Sequence, residues 1–200
     1  MQQHKQLVVI LETAIIAAFA MALTYIPHTT GVSAIELNYG LIPIAVLAMR
    51  RGLVPAAWAG VVWGILDLIL RGIGGGSVLN PLQGILEYPI AFTLVGLMGL
   101  TFASFQKAVR GSEKVKASGY AFAGIIIGTF AKYFILFIAG VVFWGAYAPK
   151  GTNVWVYSLI VNGGSALFST VLTIVVVVLL TVAPQLFVAK DGKSFSTKAA

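Results

Sequence analysis

A lysine, a tyrosine and an asparagine, Lys132, Tyr157 and Asn162, interrupt two hydrophobic segments long enough to cross a bilayer, within AKYFILFIAGVVFWGAYAPKGTNVWVYSLIVNGG at 131 to 164. An unpartnered polar group at membrane depth costs several kcal/mol, so these side chains are expected to face protein or a watery cavity instead of lipid. The chemistry they offer is that of a binding pocket: an ammonium, a phenol and an amide beside aromatic rings. Glu87 and Tyr88 lie in LEYP, about two turns into another apolar segment. A fixed partner such as Lys132 would make Glu87 structural, a cationic ligand would make it a recognition residue, and the two roles are compatible.

Lys132, Leu136, Gly140 and Trp144 recur at i+4 and wind toward one end of their helix. Tyr133 precedes Trp144 by close to three helical turns, so the two rings share a face, and Gly140 between them leaves room for a ring or a neighbouring backbone. Trp144 fits ligand stacking and also fits an interfacial tryptophan belt. Asn162 donates and accepts at once, which suits a heteroaromatic ligand or a helix–helix hydrogen bond; Tyr157 serves equally as an interface anchor. Asp67 and Arg71, four residues apart, read as a local ion pair. Glu12, at the start of the first apolar run, is assigned to headgroups, backbone or a cytosolic partner.

These residues do not assemble an enzyme. The chain has no cysteine, no paired-carboxylate motif and no Ser-His constellation, while His4 and His28 are isolated without a second ligand at metal spacing. No metal or cofactor is expected. RGIGGGS at 71 to 77 lacks the Lys-Ser/Thr of a phosphate loop and reads as a flexible connector, followed by Asn80 as a helix cap and Pro81 as first helical residue.

Positioning the pocket requires a membrane bundle. Of the 200 residues 59% are hydrophobic and 10% charged, against about 25% charged in soluble proteins. The patterning predicts an all-α protein of six transmembrane helices at about 7–27, 37–50, 53–71, 80–105, 118–145 and 154–184, the second short enough to tilt or pack inside. They form a single membrane domain over 1–185, with a polar cytosolic tail over 186–200. Placing both termini in the cytoplasm puts ten basic residues inside (Lys5, Arg50, Arg51, Lys107, Arg110, Lys114, Lys116, Lys190, Lys193 and Lys198) and only Arg71 and Lys150 outside. The net charge of +7 is therefore topology, not a nucleic-acid surface. His4 and Lys5 precede Ala18-Phe19-Ala20, an A-x-A-like cleavage pattern, but the apolar run continues to Pro27, as a spanning helix does. Residues 106 to 119 are expected to form the main cytosolic loop. Ala14, Ala18 and Ala22 make a small-xxx-small row, suited to internal packing or to a docking subunit.

Taken together, LEYP at 86–89, KYF and FIAGVVFW at 132–144, APKGTNVWVYSLIVNG at 148–163, the Ala14/Ala18 row and RRGL at 50–53 resemble the thiamine-specific substrate-binding subunits of energy-coupling factor vitamin transporters, over nearly the whole chain. The resemblance implies a multi-pass cell-membrane protein that captures thiamine outside and docks on a transmembrane coupling subunit bearing two ATPase subunits. It carries Glu87, Tyr88, Trp144, Tyr157 and Asn162 onto the ligand pocket, Lys132 onto a pocket-associated position, and Ala14 and Ala18 onto the docking face. Loop 28–36 would close as a lid.

Two positions depart from the family pattern. Leu136 stands where the family has histidine, and Ala34 lies where an aromatic is usual. Loss of one polar and one stacking contact points either to weaker thiamine binding or to a smaller relative such as hydroxymethylpyrimidine. Tyr39 and Trp155 are the candidate replacement rings.

Overall fold

The computed structural model describes residues 2–27 and 35–189, with side chains from Gln6 onward. Six helical segments follow in order: α1 Gln2–Leu23, α2 Leu41–Arg51, α3 Leu53–Ile73, α4 Pro81–Arg110, α5 Lys114–Phe143 and α6 Val154–Leu180. All but α2 are long and apolar enough to span a membrane. Eight of the eleven residues of α2 are buried, so this short helix packs within the bundle, as its length predicts. Gly52 makes the break between α2 and α3 at φ 89°, a conformation in which a side chain would be strained.

The core lies where α3, α4 and α5 meet. Trp63 of α3 is fully buried and meets Phe92 of α4 edge-on at 4.6 Å between centroids. On α1, Ala17 and Ala20 turn inward, whereas Ala14, Ala18 and Ala22 are exposed. Five of six predicted helices keep their place within a few residues; α1 is displaced toward the N-terminus, ending at Leu23.

The expected 106–119 loop contracts to the turn between Arg110 and Lys114. Residues Phe102–Arg110 are amphipathic: Phe105 and Ala108 are buried, and Gln106 donates to the carbonyls of Met49 at 2.7 Å and Phe187 at 2.9 Å. Polar composition suggested a loop, but this inward stripe keeps the segment helical. Phe187 is itself fully buried, 5.1 Å from the Phe105 ring, so packing against the bundle continues past residue 185.

Glu12 is likewise internal to the fold. Its carboxylate receives Arg50 at 3.1 Å and Arg51 at 2.5 Å, tying α1 to the end of α2, and Arg50 also donates to the carbonyls of Leu186 and Val188. Two adjacent arginines within reach of one carboxylate give Glu12 partners inside the fold.

Three helices contain a π-helical turn: Leu68–Ile73 in α3, Leu86–Ile90 in α4 and Leu159–Gly163 in α6. Such turns are well under 1% of residues in general and occur frequently at functional sites. All three lie toward the same end of the bundle, where the site is found.

Candidate substrate-binding site

A cavity of about 350 Å³ opens at this end between α3, α4, α5 and α6. Its size falls in the range of small-molecule pockets, roughly 300–1,000 Å³. Each π turn supplies lining side chains: Arg71 from α3, Glu87 and Tyr88 from α4, Val161 and Asn162 from α6.

Helix α4 begins as the sequence predicts, with Asn80 Oδ1 accepting the Gln83 amide at 3.0 Å and Pro81 in the first turn. Gln83 then becomes the support of Glu87. Fully buried, it accepts the Leu79 amide at 3.0 Å through Oε1 and donates through Nε2 to Glu87 at 2.5 Å. On the other side the Trp144 indole N–H donates to Glu87 Oε1 at 2.5 Å. Two directed donors thus fix the carboxylate at the cavity wall. Pro89, inside the same π turn, has no N–H to give the helical ladder, consistent with the altered register there.

Lys132 is not the partner of Glu87. It is 1% exposed and reaches the cavity with Nζ 4.0 Å from the Phe92 ring centroid, 5.1 Å from Trp63 and 5.3 Å from Tyr133, an aromatic surround favourable to a cation. The structural alternative for Glu87 is therefore met by Gln83 and Trp144.

Helices α5 and α6 close tightly beneath these groups. A methyl on Gly140 would sit 2.4 Å from Ser158 Oγ and 2.9 Å from Asn162 Nδ2, so only glycine lets the helices meet here. Ser158 donates to the Phe137 carbonyl at 2.8 Å, and Asn162 donates to Ser158 at 3.2 Å. Asn162 keeps its carbonyl oxygen for other partners. Segment 35–38 forms another wall, held because the Glu36 and Asn38 amides donate to Ser165 at 3.0 Å and Ser169 at 2.9 Å.

Glu87, Tyr88, Lys132, Tyr133, Gly140, Trp144, Tyr157 and Asn162 all line this cavity, and so does Leu136. Asp67 and Arg71 pair at 3.3 Å as their spacing predicts, and they line it too. The proposed replacement rings fall elsewhere: Trp155 is 55% exposed and tilts against Phe137, and Tyr39 is absent from the lining. Tyr147, which the sequence reading missed, brings a ring to the cavity 5.2 Å from Trp144. Glu36, Phe92 and Ser158 were also missed. Of these only Ser158 carried a usable signal, one turn before Asn162. Loop residues 28–34, including His28 and Ala34, and the basic residues Lys190, Lys193 and Lys198 lie outside the described residues, as does the His4 side chain. Among the described residues no three metal-ligating side chains converge.

The fold and site define an all-α, multi-pass membrane protein with a polar, aromatic-lined cavity toward one end of its bundle. The family described as thiamine transporter protein (Thia_YuaJ) matches residues 10–188, and the chain belongs to it. It is 98% identical over 201 residues to the thiamine transporter ThiT of Lacticaseibacillus paracasei strain ATCC 334, covering 100% of both. It is 32% identical over 194 residues to the thiamine transporter ThiT of Bacillus subtilis strain 168, covering 93% of this chain and 97% of the relative. A solved structure of ThiT from Listeria monocytogenes superposes with a TM-score of 0.86 at 36% identity, covering 92% of this chain and 100% of that one. Membership places the protein in the cell membrane.

Proposed function

We propose that the chain captures thiamine in this cavity and serves as the substrate-binding subunit of an energy-coupling factor transporter. The observation that carries the reading is the Glu87 carboxylate held against the Trp144 indole at a cavity also lined by Tyr157 and Asn162. Thiamine is a monocation with a flat aminopyrimidine and a hydroxyl, so it requires a negative charge, rings and groups that both donate and accept. Cation–π attraction contributes about 2 kcal/mol or more when desolvated, and a hydrogen bond to a charged group about 1.5–3 kcal/mol. Several such contacts support tight capture by binding alone, without a catalytic step.

In this reading both termini are cytoplasmic, the cavity opens outward, and the exposed Ala14, Ala18 and Ala22 row meets a transmembrane coupling subunit. ATP hydrolysis is assigned to two partner ATPases. The test is twofold: purified chain should bind one labelled thiamine per molecule, and vesicles should accumulate thiamine with ATP only when the partner subunits are present. No saturable binding by the folded chain would end the proposal; ATP-driven uptake by the chain alone would remove the partners from it.

A further inference from the structure

Ser169 of α6 is fully buried behind the cavity and is not part of its lining, yet three groups converge on its one hydroxyl. The Asn38 amide donates to it at 2.9 Å, it donates to the Glu36 carbonyl at 3.4 Å, and the Tyr133 hydroxyl lies 3.2 Å away. A serine hydroxyl has one proton and two lone pairs. With the proton on Glu36 and one lone pair taken by Asn38, the other lone pair receives the Tyr133 proton, so the phenol donates. Tyr133 reaches this point from α5 and lines the cavity, as Glu36 and Asn38 do. One turn earlier on α6, Ser165 accepts the Glu36 amide at 3.0 Å and sends its own proton to the Val161 carbonyl at 2.7 Å, so it ties the same wall to α6 without Tyr133.

We infer that Ser169 is a positioning residue for ligand retention, fixing the Tyr133 ring and the wall at 36–38 to one another. A rotated Ser169 hydroxyl gives up the Glu36 carbonyl or turns its proton against the donating phenol, so a phenol held in place keeps the hydroxyl aimed at the wall. Buried hydrogen bonds in such a chain polarise and strengthen one another. A ligand lying against Tyr133 restrains the phenol, and through Ser169 it holds the backbone of 36–38 and slows its own exit.

This inference rests on the thiamine-binding reading, and the experiment separates the two. Saturable thiamine binding by the purified wild-type chain tests that reading; release of labelled thiamine into excess unlabelled thiamine tests the role of Ser169. Ser169→Ala and Tyr133→Phe should each speed release at least about fivefold, the scale of one lost hydrogen bond. The double variant should release within about twofold of Ser169→Ala, because the phenol has already lost its partner there. Ser165→Ala, which loosens the wall without touching Tyr133, should instead multiply with Tyr133→Phe. Amide hydrogen exchange serves if Ser169→Ala does not fold: saturating thiamine should slow exchange at Glu36 and Asn38 in the wild type, and Tyr133→Phe, which leaves Ser169 in place, should lose most of that protection. Release within about twofold of the wild type in either single variant, or effects of Ser169→Ala and Tyr133→Phe that multiply, would overturn the inference. So would equal non-additivity in the Ser165 pair, or ligand-induced protection unchanged in Tyr133→Phe.

Discussion

Replacing Glu87 by glutamine keeps the side chain's size but removes its charge and turns one acceptor oxygen into a donor. The wild-type carboxylate lies between two N–H groups, one from Gln83 and one from Trp144. One terminus of the new amide must therefore meet a donor with a donor. Gln83 cannot rotate to relieve the mismatch without giving up the Leu79 amide, which it holds through Oε1. For the ligand, the loss is a contact to a charged acceptor, about 1.5–3 kcal/mol, which corresponds to roughly 10- to 140-fold weaker binding at about 1.4 kcal/mol per decade. Trp144 lines the cavity, so tryptophan fluorescence of the purified protein reports the titration. Thiamine should bind Glu87→Gln at least tenfold more weakly, and uncharged hydroxymethylpyrimidine should be affected less. Equal losses for both ligands would refute the reasoning, because the carboxylate would then serve the pyrimidine or the pocket's structure and not the thiazolium charge.

Leu136→His, which restores the family's polar group at a cavity-lining position, should tighten thiamine binding in the same titration; an unchanged or poorer constant in folded protein counts against the simple thiamine assignment. Gly140→Ala places a methyl against Ser158 and Asn162, an overpacking of about 1–3 kcal/mol, and should weaken thiamine binding roughly tenfold while helical content by circular dichroism is unchanged. Glu12→Gln should lower thermal stability by about 1.5–3 kcal/mol through its arginine contacts, with thiamine affinity intact because the latch is remote from the cavity. Ala18→Trp should abolish ATP-driven uptake in vesicles holding the partner subunits yet leave binding by the isolated chain intact; joint loss in folded protein would place the alanine row in the subunit's own packing.

The helices were legible because their boundaries coincide with strong local signals: the Asn80-Pro81 start and apolar runs of spanning length. Lys132, Glu87, Trp144 and Asn162 stood out because polar and aromatic groups are expensive or positioned in an apolar segment. What composition hid was tertiary. Phe105 and Ala108 turn the polar 102–110 segment into a packed helix, and Gln83 supports Glu87, through contacts that no local pattern announces. Tyr147 and Glu36 reach the cavity from connecting segments, where side-chain direction is not set by a helical period. The π turns explain a further gap: an ideal period cannot tell which faces Glu87, Tyr88 and Asn162 occupy once the register changes around them.

Capture of thiamine in the cavity between α3 and α6 is tested most directly by ranking ligands on the purified wild-type chain. Thiamine, its phosphates and hydroxymethylpyrimidine are titrated in turn while tryptophan fluorescence is followed, with Trp144→Phe as the control for the reporting ring. Thiamine should bind most tightly, and the fluorescence change should shrink in the control. Tighter binding of hydroxymethylpyrimidine than of thiamine, or saturation by thiamine with an unaltered signal in Trp144→Phe, would contradict the account.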